Sequence, residues 1–242
     1  MTEERIARTR VFLSWLREAS IRHRGRIRFV VAGSIGLEPL VSRAGISETL
    51  NAFVPLRIEP WDRATALAFI ADRSLRSGLS LAEGAGEALV DRIGCLIPHH
   101  VAMFVHFLRA DARRRKSTDC TPDDVERVYQ REMLSVHGHV ELATYEDRLS
   151  RVVDPALQAL ALELLTEAAC VGHLTAEAAR SIVATDSPEP KPVEGTLRFL
   201  LGVFVHDGYL EERRGRFEFT STLLCDWWRR RFGFEYVPVS ER

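Results

Sequence analysis

Residues 27–32 read IRFVVA, a nearly continuous apolar and β-branched run that stops at Gly33, Ser34, Ile35 and Gly36. Runs of this kind belong in the middle of a parallel sheet, where helices cover both faces. A parallel sheet is assembled from several strand–helix units joined by crossovers. Only one such unit is legible here. Residues 4–20 predict an amphipathic helix with Ile6, Val11, Phe12, Trp15 and Leu16 on its apolar stripe, and Gly25 ends the turn that follows. Helix and strand together predict the last crossover of a sheet whose other strands the sequence does not contain.

Composition narrows the function classes. At 242 residues the chain has room for one or two domains, and 46% hydrophobic content is enough for a sizeable core. The net charge of -1 exerts no global pull toward nucleic acid or an anionic membrane. No apolar run approaches the roughly 18 residues that span a bilayer. The opening MTEERIARTR has no apolar centre of the secretory type. Cys95, Cys120, Cys170 and Cys225 are widely spaced and form no CxxC pair, so they read as reduced thiols. These features predict a cytoplasmic protein with no membrane partner.

Beyond residue 40 the pattern becomes helical. A short helix is expected over 37–42 and a second short strand over 53–58. Glu59, Pro60, Trp61 and Asp62 form a stop-and-cap signal, with Asp62 placed to accept from the first amides of a helix over 63–77. Helices follow over 81–93, 98–116 and 121–135, the last announced by Thr121-Pro122-Asp123-Asp124. A connecting helix over 141–152 leads to helices over 155–169, from 173 onward, and over 193–207. The alternation of Phe217 and Phe219 with Arg216, Glu218 and Thr220 then predicts a hairpin, 209–212 with 216–220. A final helix over 221–232 carries Trp227 and Trp228, both read as core. Three helices followed by a hairpin is the order of a winged helix-turn-helix. The fold class expected is therefore mainly α, in three parts. Residues 1–58 are the helix–strand remnant of a parallel α/β core, 59–140 a helical domain, and 141–242 a winged helix with its β-hairpin.

Four segments carry a resemblance to a known family. They are Phe12-Leu13-Ser14-Trp15-Leu16-Arg17 with residues 27–34; residues 56–70 around Pro60 and Trp61; Gly94-Cys95-Leu96-Ile97-Pro98-His99; and Asp207-Gly208-Tyr209-Leu210 with residues 217–219 and 223–228. Their order resembles the AAA+ and STAND-type P-loop ATPases of the archaeal-ATPase and Orc/Cdc6-like kind. The resemblance implies a sensor-1 strand ending at Ser34, a helical lid, a sensor-2 region at Pro98 and His99, and a C-terminal winged helix. It implies ATP-contacting roles for Ser34, Pro98 and His99: Ser34 toward the γ-phosphate or attacking water, Pro98 toward adenine.

The departures bear on activity. No G-x-x-x-x-G-K-[ST] occurs, so the phosphate-cradling amides, the lysine and the Mg²⁺-binding hydroxyl of that family are missing. No apolar strand ends in an acidic pair, so Walker B is missing too. His99 stands where the family often has an arginine. The chain alone is thus expected not to hydrolyse ATP and has no catalytic residue to nominate. ATP with Mg would bind only if the missing N-terminal core were supplied by the same polypeptide or by a partner chain; otherwise no cofactor is expected.

The remaining candidates weigh chemistry against ordinary structure. His99-His100, His106 and His137-Gly138-His139 lack the spacing of a metal site. Arg113, Arg114, Arg115 and Lys116 close a helix, where cations complement the macrodipole. Arg198 on the third helix of the C-terminal set, with Arg213, Arg214 and Arg216 at the wing, are the nucleic-acid candidates. Against them, the sequence from Arg151 onward holds 11 basic and 14 acidic residues by count, whereas DNA-binding domains are usually basic. The alternative is therefore a non-enzymatic winged-helix module that binds DNA or protein. Self-association is the remaining partner class.

Overall fold

The computed structural model describes residues 3–32, 41–42, 44–51, 53–56, 58–186 and 190–242. The chain divides into two compact units, 1–58 and 59–242.

The first unit is built on helix α1 (Glu3–Arg22). Leu13 and Leu16 are buried with Val41 and Ile46, and Ile6, Phe29, Ala44, Leu50 and Phe53 pack around them. A 3₁₀ turn, Ser47–Leu50, is closed by Thr49 Oγ1 donating to the Ile46 carbonyl at 2.7 Å. The strands expected over 27–32 and 53–58 are not formed among the described residues. Val30 is 89% exposed and Ile58 92% exposed. The physical reason is that an apolar, β-branched run becomes a strand only against a second strand that takes its backbone groups. No strand pairs with either segment among the described residues. Ser34 and most of the helix expected over 37–42 lie outside the described residues.

The second unit is helical with two small sheets. It starts at α2 (Arg63–Ser77), whose cap works as the sequence predicts: Asp62 accepts from the Thr65 amide at 2.7 Å. Gly78, at φ 72°, ends α2 in the left-handed region. Strand β1 (Ser80–Leu81) pairs in parallel with β2 (Asp119–Cys120). Between them lie α3 (Ala85–Ile93) and α4 (Pro98–Arg115). Helix α5 (Pro122–Val128) opens on a reciprocal box in which Thr121 and Asp124 satisfy each other's amides. It runs on into a π-helical turn, Tyr129–Met133.

Next come α6 (Val136–Val152) and α7 (Pro155–Val171). A three-stranded antiparallel sheet then forms in the order β3-β5-β4. Strand β3 (Leu174–Thr175) precedes α8 (Ala176–Asp186) and α9 (Pro190–His206). Strands β4 (Leu210–Arg213) and β5 (Arg216–Phe219) make the hairpin. The hairpin turns on Arg214 (φ 51°) and Gly215 (φ 77°), the double positive φ of a two-residue loop that follows strand twist. Leu174 faces Phe217, and Leu210 faces Phe219. Helix α10 (Thr222–Phe232) returns across the unit, capped by Ser221 accepting from the Leu224 amide.

Both tryptophans expected in the core are there: Trp227 and Trp228 are 2% and 0% exposed. Trp228 meets Tyr209 edge-on at 6.3 Å and Phe219 at 6.2 Å. The Tyr209 hydroxyl donates to the Tyr145 carbonyl at 2.6 Å, so α6 and the hairpin share this core. Burial pushes the Tyr209 phenol well up, with Asp207 adding to the shift, which keeps it a donor.

Candidate functional site

The sequence points to the start of α4. There the loop Gly94-Cys95-Leu96-Ile97 brings the chain to Pro98, the first residue of an 18-residue helix. Proline suits this position because the first helical amide has no intrahelical acceptor. The preceding residue, Ile97, has no side-chain oxygen to cap the helix. The Val101 amide donates to the Ile97 carbonyl at 3.2 Å, and the start of the helix is the positive end of its dipole, which favours an anion. Pro98 and His99 are exposed, while His100 is buried at 4% exposure. The His100 ring lies 6.1 Å from His99 and 6.4 Å from Tyr145.

Trp61 comes to the same place from the other side. Its amide donates to the Leu96 carbonyl at 3.0 Å, and its ring meets Phe69 at 4.9 Å and 49°. The Trp61 backbone is thus held to the loop that leads to Pro98, while its ring packs on Phe69. In the sequence Trp61 belongs to a stop-and-cap signal and to the segment that resembles a lid entry; only the fold shows that its backbone touches the Gly94–Pro98 loop. Burial raises the Cys95 thiol above its usual range, and Glu211 adds to this, so Cys95 stays a neutral thiol.

Gly94 has a separate reason to be glycine. It sits at φ 74° and ψ -79°, and a Cβ there would lie 2.7 Å from both the Thr222 amide nitrogen and Oγ1. The loop is therefore pressed against the start of α10. Beside it, Ser221 Oγ donates to the Ile93 carbonyl at 2.9 Å. The Tyr129 hydroxyl donates to Asp226 at 2.8 Å, and the Arg92 guanidinium covers the Tyr129 ring at 5.3 Å. These contacts tie the helical set to the C-terminal set.

The four candidate arginines are exposed. Arg213 pairs with Glu211 at 2.6 Å and approaches Glu218 at 3.9 Å, so two carboxylates of its own hairpin partly neutralise it. The Arg113–Lys116 cluster is largely structural. Arg114 reaches Glu132 at 2.6 Å, and Arg115 reaches Asp111 at 2.9 Å and Asp124 at 3.3 Å. Arg127 joins both aspartates from α5. Burial alone would raise Asp111, but the hydrogen bonds from Arg127 and Arg115 outweigh it and hold the carboxyl below its ordinary value.

Among the described residues, no group of three or more His, Cys, Asp or Glu could hold a metal ion. None of their helices is long and apolar enough to cross a membrane.

No family model and no curated protein matches the chain. Among solved structures, the chain is similar to the Walker-type ATPase of Pyrococcus abyssi, at 14% identity and a TM-score of 0.48. That likeness covers 70% of this chain and 42% of the ATPase, so the chain spans less than half the length of that protein.

Proposed function

We propose that the chain is the lid and C-terminal winged-helix portion of a P-loop switch ATPase, a regulator that senses ATP and does not hydrolyse it alone. The observation that carries this reading is the order of elements in 59–242. A helical set containing a proline-started α4 is followed by the connecting helix α6, by α7, α8 and α9, and by a β3-β5-β4 sheet whose hairpin tip is exposed. That sheet order, with the hairpin after the third helix of the C-terminal set, supports reading the segment as a winged helix. On this reading Pro98 and Trp61 offer apolar surface to adenine, and the positive end of the α4 dipole, with the His99 side chain, faces phosphate. Ser34 would complete the site only within an ATPase core supplied by another segment or chain. The chain has neither a lysine nor a hydroxyl in P-loop spacing, so phosphate and Mg²⁺ would be held by that core.

The test is recovery of a P-loop ATPase core with the full chain from the source cells, followed by titration of that complex with ATP and Mg²⁺, read by amide resonances and tryptophan fluorescence. The expected result is saturable perturbation of Trp61, His99 and His100 in the complex and none in the chain alone. Failure to recover a P-loop core, or unmoved resonances at these three positions in the complex, would remove the nucleotide reading.

The second reading is a non-enzymatic module that binds DNA through Arg198, Arg213, Arg214 and Arg216. Its support is the exposure of all four. It requires affinity for duplex DNA that falls steeply with salt, and loss of that affinity in Arg214→Ala and Arg216→Ala. Anisotropy that does not change with labelled duplex at low salt would exclude it and leave protein contact as the role of the wing.

A further inference from the structure

Helix α1 has a second apolar stripe that the described residues of its unit leave more than half exposed. At roughly 100° per residue, Ile6, Leu13 and Leu16 share one side, which packs against Val41 and Ile46. Val11 and Trp15 lie on the opposite side, 69% and 55% exposed. Phe12 flanks them, its ring stacked on Trp15 at 6.3 Å. An amphipathic helix needs one apolar face; this one has two, and the outer one faces solvent.

The outer face has the spacing of a helix seam. Glu4, Arg8, Val11, Trp15, Glu18 and Arg22 follow one another at alternating intervals of four and three residues, and all six are exposed. That alternation keeps one line of side chains facing a second helix over several turns. The seam is about 27 Å long at 1.5 Å per residue.

The charges identify the second helix. When α1 is laid antiparallel on a copy of itself, Val11 meets the partner's Trp15, Arg8 meets the partner's Glu18, and Glu4 meets the partner's Arg22. Every charged position meets its opposite. Laid parallel, each position meets its own kind and all four charges repel. The pairs Arg8–Glu4 (3.8 Å) and Arg22–Glu18 (2.6 Å) already exist within the helix and are solvent-exposed. Antiparallel pairing would join one of each into a four-charge cluster at either end of the apolar centre. We propose that α1 forms a two-fold symmetric, antiparallel helix pair with a second copy of this chain, centred on Val11 and Trp15.

The test is sedimentation equilibrium of the full chain. The wild-type chain is expected to show a monomer–dimer equilibrium in the micromolar range. Trp15→Glu should raise the dimer Kd about 30-fold or more, the loss typical of a central aromatic anchor. Trp15 also lies 6.1 Å from Phe29, so a second test leaves the apolar residues untouched. One chain carries Glu4→Arg with Arg8→Glu, and the other Glu18→Arg with Arg22→Glu. Each retains an opposite-charge pair within its own helix, and each should be monomeric alone. Mixed, they should pair as a heterodimer. A wild-type chain that stays monomeric throughout the micromolar range overturns the proposal. So do swapped chains that dimerise alone, or that fail to pair when mixed.

Discussion

Replacing Gly94 by alanine should destabilise 59–242 by more than the backbone conformation alone explains. At φ 74° and ψ -79° an L-residue is strained, at a cost of about 1–2 kcal/mol. The added methyl carbon would lie 2.7 Å from the Thr222 amide nitrogen and from its Oγ1. Backbone cannot rotate out of the way as a side-chain end can. Relieving the contact means displacing the start of α10, where Ser221 holds the Ile93 carbonyl at 2.9 Å. Overpacking of this kind costs about 1–3 kcal/mol. The sum, about 2–5 kcal/mol, is a large share of the 5–15 kcal/mol typical of a domain. Gly78→Ala is the control, because Gly78 has φ 72° and open space around the new methyl; it should cost only the conformational part, about 1–2 kcal/mol. Urea denaturation followed by near-ultraviolet circular dichroism measures both, as a lower midpoint at constant slope. If Gly94→Ala is no more destabilising than Gly78→Ala, the close approach of Thr222 does not constrain the fold and the argument fails.

Tyr129→Phe removes a buried hydroxyl from Asp226, and a hydrogen bond to a charged group is worth about 1.5–3 kcal/mol. Asp226 keeps Arg229 at 3.4 Å and some solvent, so a loss near the lower end, about 1.5 kcal/mol, is expected in the same urea assay; no loss would mean that this link adds nothing. Asp111 titrates lower in the folded chain than its ordinary 3.8. Its contribution is therefore complete above that value and is lost as pH falls through the lower folded value. Asp111→Asn should cost about 2 kcal/mol at neutral pH, less than breaking a wholly buried pair, because Arg115 and Arg127 keep Asp124. It should also flatten the acid limb of stability measured below about pH 4; an unchanged acid limb would refute the assignment.

What the sequence made legible is what depends on near neighbours. Asp62 three residues before Thr65, and Thr121 three before Asp124, cap their helices through contacts that spacing alone specifies. The alternation at Phe217 and Phe219 and the Arg214-Gly215 turn specify the hairpin in the same local way. Residues 27–32 show where local reading stops. Their composition says strand, but a ladder needs a second backbone. Strand β3 failed in the opposite sense: two residues are too few for any period, and Leu174 is a strand only because Phe217 lies beside it. The links that bind the unit, Tyr129 to Asp226 and Ser221 to Ile93, cross about a hundred residues and leave no mark on spacing. Gly94 carried a signal, but one that reads equally as a flexible turn; the reason for the glycine is a residue far downstream.

Those same links decide how the unit could act as a switch. The loop that leads to Pro98 does not hang free above the C-terminal set. Gly94 touches the first residue of α10, Ser221 holds the end of α3, and Tyr129 holds Asp226 one turn further along α10. The Ser221 contact is buried, the Tyr129 contact half-buried and the Gly94 contact sterically tight, and packed interfaces repack between discrete states rather than flex. On the proposed reading, a nucleotide bound at the start of α4 would meet two helical sets already joined by these contacts. It would act on a body in which α4, α10 and the hairpin core move together, and the hairpin would report the position of that whole body. Loosening the coupling with Tyr129→Phe should then reduce any ATP-dependent change read at the hairpin, while the ATP-induced shifts at Trp61 and His99 remain.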